Sequence, residues 1–185
     1  LPGDKLRLQI RLPIVANDLL ENPLIIPGVP YSNTQDVYGS TVTVSDPKLT
    51  NTDCRSHITY ALDRINTVWY QYTASTTQTL LVDTSTSDYP TFIEFPDQGI
   101  CGYGIRTFEA QAGTTYRIKV AYRNQAGSPM PLPSSSMLRF ILRPTVANDT
   151  QANAISILSL PFTHTQDVAD ATRDMSEPFS SGCGG

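Results

Sequence analysis

One phrase of this sequence occurs twice, and the two versions lie 131 residues apart. Residues 13–47 and residues 144–178 align without a gap and share 15 identical residues in 35 positions. The substitutions are mostly conservative, since Phe162 takes the place of Tyr31 and Glu177 that of Asp46. Repeats of about 20–50 residues build solenoids whose units cannot fold alone, whereas this longer period leaves room for a whole domain in each unit. The repeat therefore predicts a tandem array of independent domains.

The phase of the repeat predicts the domain boundaries. Residues 1–13 are expected to form the last strand of a preceding unit, and residues 14–147 one complete unit with its linkers. Residues 148–185 are expected to be the first part of a following unit. The linkers PIVA and PTVA are short, which favours a regular pose of each unit against the next.

The complete unit has the pattern of an all-β protein. Residues 66–74, NTVWYQYTA, are β-formers without a break, with Val68, Tyr70 and Tyr72 on one face and Trp69 on the other. Strand character continues in residues 78–84 and 137–143. The sole helix-length candidate, residues 56–66, is equally compatible with a short helical turn or a loop. With 14 Pro and 11 Gly as turn residues, the pattern predicts an antiparallel β-sandwich of short strands.

Residues 105–122 predict a β-hairpin with its turn at Gly113. Its second arm alternates between apolar and other residues. The side chains expected to face the core are Tyr116, Ile118 and Val120, and those expected to face outward are Arg117, Lys119 and Ala121.

Composition argues against several function classes. The net charge of −4 and the isoelectric point near 5.0 argue against a surface for nucleic acid or anionic membranes. The longest uncharged run near the middle, residues 65–82, is interrupted by Asn, Gln, Ser and Thr and is too polar to span a membrane.

The cysteines predict an oxidising environment. The complete unit contains Cys54 and Cys101, and a disulfide between them would stabilise the fold by about 4 kcal/mol in the chain-entropy model. Cys183 aligns with Cys54 after a short gap, so its partner is expected in the next repeat. Such bridges persist in extracellular proteins. The alternative is a pair of reduced, buried cysteines.

No catalytic site is expected. A Ser or Cys nucleophile needs a nearby base, and His57 is the sole candidate in the complete unit. It lies in a polar, loop-like stretch, which indicates a solvated histidine. Calcium is a weaker possibility at Asn17–Asp18 and Asn148–Asp149, because calcium prefers oxygen ligands. No other cofactor is expected. Asn148 begins the sequon NDT and is a candidate glycosylation site if the source is eukaryotic.

Four segments together resemble a known family. They are ANDLLENPLIIPGVPYSNTQDVYGST, TVWYQYTA, LLVDTSTSDYPTFIEF and FEAQAGTTYRIKVA, which span most of residues 17–143. They look like the bacterial pre-peptidase C-terminal domain, here in tandem copies. Pro90 departs from the family pattern, which more often has Asp at this position, and this weakens the case for calcium. The resemblance implies a secreted, jelly-roll-like antiparallel β-sandwich without catalysis, and by analogy with related collagen-binding modules it suggests a binding surface formed by Tyr89, Tyr103 and Tyr122.

Two function classes follow. The first is an extracellular or cell-surface structural protein, in which copies of the unit contact one another head to tail in a fibre, sheath or adhesive array. The second is a binding module for extracellular matrix or polysaccharide, attached to a secreted hydrolase. No nucleic-acid partner and no membrane span are expected for either.

Overall fold

The computed structural model describes residues 15–41, 46–47, 64–123, 136–149, 154–166, 168 and 171. Nine β-strands lie in this part of the chain, and no helix does. They are β1 (Leu24–Ile26), β2 (Tyr31–Asp36), β3 (Arg64–Thr73), β4 (Gln78–Asp83), β5 (Thr91–Phe95), β6 (Ile100–Tyr103), β7 (Ile105–Ala110), β8 (Thr115–Arg123) and β9 (Met137–Pro144).

The strands form two sheets that pack face to face. The first has five strands in the order β1-β3-β8-β5-β6, and the second has four in the order β2-β9-β4-β7. Every described pairing is antiparallel except that of β1 with β3, in which Leu24 lies opposite Tyr70. The predicted all-β sandwich is therefore confirmed, with one parallel edge strand that the sequence did not indicate.

The core lies between the two sheets. From the first sheet it receives Val68, Tyr70 and Tyr72, as the alternation in β3 predicts. The Tyr70 ring stacks on Phe140 of β9 at a centroid distance of 4.0 Å and an angle of 11°. Burial of large apolar and aromatic side chains from both sheets is the main force that holds such a sandwich together.

The predicted hairpin at residues 105–122 is wrong, although its two strands and its turn exist. β7 pairs with β4 in the second sheet, whereas β8 pairs with β3 and β5 in the first. Gly113 lies in the connection with a φ of 80°, a conformation that glycine adopts at little cost. Phe108 and Tyr116 meet across the core at 5.0 Å, so their strands face each other from opposite sheets. Alternation identifies the inward face of a strand but not its partner.

Part of the outer face of the five-stranded sheet is also buried, which refines the prediction for β8, although Arg117 keeps a side chain that is 39% exposed. Lys119 and Ala121 do lie opposite the core face, but they are only 4% and 0% exposed. Trp69, on the same outer face of β3, is fully buried as well. Most of the helical candidate at residues 56–66 lies outside the described residues, and its last three residues belong to β3.

Candidate functional site

Two of the three predicted surface tyrosines belong to the core. Tyr89 and Tyr122 are each 5% exposed, and their rings pack edge to face at 5.6 Å. Burial raises the pKa of Tyr89, so its hydroxyl stays neutral. The prediction of a binding surface that includes these two residues is wrong, because the chain needs their rings for packing. Tyr103 is 37% exposed and contacts the buried Phe92 ring edge to face.

The other sequence-predicted sites are only partly covered by the structure. Cys101 lies half-buried on β6, while Cys54 and Cys183 lie outside the described residues, so the disulfide stays a prediction. His57 lies there too. Asn148 is exposed four residues after the end of β9, and its glycosylation stays a prediction.

Asn17 and Asp18 anchor the start of the unit through hydrogen bonds, those of Asn17 being to the five-stranded sheet. Both are 2% exposed. The Asn17 side-chain amide donates to the Trp69 carbonyl oxygen at 2.9 Å, and the Trp69 amide donates to the Asn17 carbonyl oxygen at 2.8 Å. The two Asp18 carboxylate oxygens accept from the Thr41 amide at 2.5 Å and the Thr41 hydroxyl at 2.9 Å. These contacts give both residues a structural role, and calcium binding stays an untested prediction.

The second version of the repeated phrase is exposed where the first is buried. Ile26 is 3% exposed, while Ile157, at the same repeat position, is 60% exposed. Val37 is fully buried, while its equivalent Val168 is 63% exposed. We call residues 154–166 together with Val168 the exposed segment. Its other large apolar residues that are at least 39% exposed are Ile155, Leu158, Leu160 and Phe162.

In the complete unit, the equivalent residues are covered by β-strand pairing. β2 pairs along its whole length with β9, from Tyr31 opposite Leu142 to Asp36 opposite Met137. β1 pairs with the middle of β3. The exposed segment thus has the sequence of two strands whose partners, in the complete unit, are β9 and β3. Contiguous exposed apolar residues of this kind mark interaction surfaces.

The linker that joins the complete unit to the exposed segment is held against the sandwich where it begins. The Thr145 amide donates to the Thr79 carbonyl oxygen at 3.1 Å, which continues the β9 edge past Pro144. An open cavity of about 400 Å³ lies here, with Glu109 and Ala147 among its lining residues. The chain therefore leaves the sandwich in a defined direction, beside the four-stranded sheet.

A buried ionic cluster lies on the outer face of the five-stranded sheet. We call it the outer-face cluster and define it by Asp46, Glu94, Lys119 and Trp69. Lys119 lies directly opposite Trp69 of β3 and Glu94 of β5. Its Nζ is 3.4 Å from Asp46 Oδ2, 3.8 Å from Glu94 Oε2 and 5.6 Å from the centroid of the Trp69 ring.

Every member of the outer-face cluster is shielded from solvent. Glu94 and Trp69 are 0% exposed, Lys119 4% and Asp46 8%. The Thr67 hydroxyl, which donates to the Thr41 carbonyl oxygen at 2.6 Å, also lies 3.3 Å from Asp46 Oδ2. Two carboxylates next to one amine in a dry environment form an energetically expensive arrangement. Sequence reasoning missed this cluster, because its residues come from distant parts of the chain.

Comparison with known proteins gives no relative, since no family model, no curated protein and no solved structure matches this chain. The resemblance to the pre-peptidase C-terminal domain therefore stays a prediction. Among the described residues, no helix is long and apolar enough to cross a membrane. The same residues contain no group of three or more His, Cys, Asp or Glu side chains placed to hold a metal ion.

Proposed function

We propose that this chain is a non-catalytic structural and adhesive protein of the extracellular space, built from β-sandwich units that contact one another head to tail. The observation that carries the proposal is the difference in burial between identical residues of the two repeat copies. Ile26 and Val37 are buried in the complete unit, while Ile157 and Val168 are exposed.

The exposed segment needs partners of a particular kind. In the complete unit, the first copy of the phrase is covered by one parallel and one antiparallel strand of the same sandwich. Strands equivalent to β3 and β9 would cover the second copy in the same way. A following unit of the same repeat would supply them, either later in the polypeptide or by strand addition from another copy. Either route produces a linear array, because each contact is head to tail.

Two further features favour an array over a flexible chain of domains. The Thr145–Thr79 hydrogen bond holds the linker against the sandwich. Asn148 and Asp149 repeat Asn17 and Asp18, which are anchored in the complete unit. A completed second unit would therefore be held close to the first by the same contacts. Its Cys183 would pair within that unit, as we expect Cys54 and Cys101 to pair in this one, in an oxidising environment.

Self-association of the chain tests the proposal. In sedimentation velocity over a hundredfold range of concentration, we expect the chain to associate through the exposed segment. The double variant Leu158→Asp, Leu160→Asp should remain monomeric, because charge on these side chains opposes burial. Tyr38→Ser is the matched control: Tyr38 is 62% exposed but lies outside the segment, and its loss should leave association unchanged.

A monomer at every concentration would contradict an array formed by strand addition between copies of this chain. It would favour the second function class, a binding module of a secreted hydrolase, for which Tyr103 is the exposed member of the predicted aromatic set. Binding of the chain to collagen or to insoluble polysaccharide, and its loss in Tyr103→Ala, would then support that class.

A further inference from the structure

The outer-face cluster brings together an amine, a carboxyl group and a second carboxylate that can transfer protons, a set suited to amide formation between side chains. An amine, Lys119 Nζ, lies 3.4 Å from an oxygen of the Asp46 carboxyl group. A second carboxylate, Glu94, lies 3.8 Å from the same nitrogen. Reactive groups held next to each other in a fixed orientation react far faster than free ones, with effective molarities of about 10⁵–10⁸ M in well-oriented cases. The strand pairing of Glu94 with Lys119 fixes the orientation of that pair.

We propose that Lys119 and Asp46 form an intramolecular isopeptide bond, with Glu94 as the proton-transfer group. The Lys119 nitrogen attacks Asp46 Cγ, and a bond between Nζ and Cγ forms. One Asp46 oxygen leaves as water after it receives the two protons that the lysine ammonium group loses. Glu94 accepts one of these protons and passes it to the leaving oxygen, so it is unchanged at the end. The step needs no oxidant, reductant or other reactant, and it converts a buried ion pair into a neutral amide.

The buried environment favours the amide over the charged pair of Lys119 and Asp46. Water is largely excluded from the cluster, because its members are at most 8% exposed. A buried ion pair gains little over a neutral group of similar size, so its replacement by an amide removes an energetic cost. Exclusion of water also protects the amide from hydrolysis.

Pro47, the residue after Asp46, prevents another reaction that would also remove one water molecule from Asp46. Aspartate can lose water by attack of the following backbone nitrogen on its side chain. Asp46 is followed by Pro47, whose nitrogen carries no hydrogen. Loss of water at Asp46 therefore indicates attack by a side chain.

The mass of the intact folded chain, measured after reduction of any disulfide, tests the proposal. We expect the main species to weigh less than the sequence mass by one water molecule. Trypsin should release a branched peptide that joins residues 12–48 to residues 118–123, with no cleavage after Lys119. An unchanged mass, together with separate peptides that contain free Lys119 and free Asp46, would overturn the proposal. A branch from Lys119 to Glu94 would also overturn it.

Four variants test the separate roles of Lys119, Glu94 and Asp46. Lys119→Arg keeps the charge but should abolish the mass loss, and Glu94→Gln should greatly reduce it. Asp46→Asn should lose ammonia instead of water, so that its product has the same mass as the product of the parent chain. Asp97→Asn is the matched control, since Asp97 forms an exposed ion pair with Arg117 and should not affect the bond. Full mass loss in Glu94→Gln would refute the role of Glu94.

Discussion

Two isoleucines at the same position of the repeat allow a direct test of the difference between buried and exposed copies. Ile26 is 3% exposed in the core, and Ile157 is 60% exposed in the exposed segment. Truncation of a buried isoleucine to alanine usually costs about 2–5 kcal/mol. Because β1 is a three-residue edge strand, the site can relax, and we expect a cost of about 2–3 kcal/mol for Ile26→Ala. Ile157→Ala should change stability by less than about 0.5 kcal/mol, as surface substitutions do.

Urea unfolding followed by tryptophan fluorescence measures both variants, since Trp69 is fully buried. With a urea dependence of about 2 kcal/mol per M, Ile26→Ala should lower the midpoint by roughly 1–1.5 M at an unchanged slope. Ile157→Ala should leave the midpoint in place when the protein is dilute. Equal losses in the two variants would contradict the exposed placement of Ile157, because Ile157 would then be buried within the single chain. Two unchanged midpoints would refute the placement of Ile26 in the core.

Three other outcomes test the sandwich itself. Gly113→Ala should cost roughly 1–2 kcal/mol through its φ of 80°, while Gly28→Ala, which has equal space and no positive φ, should cost less. The hydrogen bond from Ser136, more than that from the Tyr38 amide, lowers the pKa of Asp36 in the folded protein. The stability that Asp36 contributes is therefore present above its unfolded-state pKa of about 3.9 and is lost as pH falls through the folded-state pKa. Acid unfolding of Ser136→Ala should show a weaker loss of stability in this pH range. Tyr70→Phe should cost about 1–2 kcal/mol in urea unfolding, because the buried hydroxyl makes two hydrogen bonds.

The fold class could be predicted from the sequence because it depends on local patterns. Alternation in residues 66–74 and the apolar positions of residues 116–120 correctly assigned side chains to the core face. The strand partners could not be predicted in this way. The connection at Gly113 is short and has the sequence of a hairpin turn, yet it crosses between sheets, since Phe108 and Tyr116 are both needed in the core.

The candidate sites also differ in how far the sequence predicts them. The repeat position of the exposed segment could be predicted, since Ile157 aligns with Ile26 and Val168 with Val37. The outer-face cluster could not. Asp46, Glu94 and Lys119 are far apart in sequence, and a lysine in an alternating strand normally indicates a solvent-facing position. The placement of Tyr89 and Tyr122 on a binding surface came from the resemblance to collagen-binding modules, whereas Tyr122 continues the core-facing alternation of Tyr116, Ile118 and Val120.

Hydrogen exchange in the exposed segment tests the central claim most directly. The amides of residues 155–166 are compared with those of residues 24–35, their equivalents in the complete unit, in dilute and in concentrated protein. We expect residues 24–35 to be protected under both conditions, and residues 155–166 to exchange rapidly when dilute but to gain comparable protection as the protein associates. Rapid exchange of residues 155–166 at every concentration, in a chain that remains monomeric, would contradict an array formed by strand addition between copies of this chain.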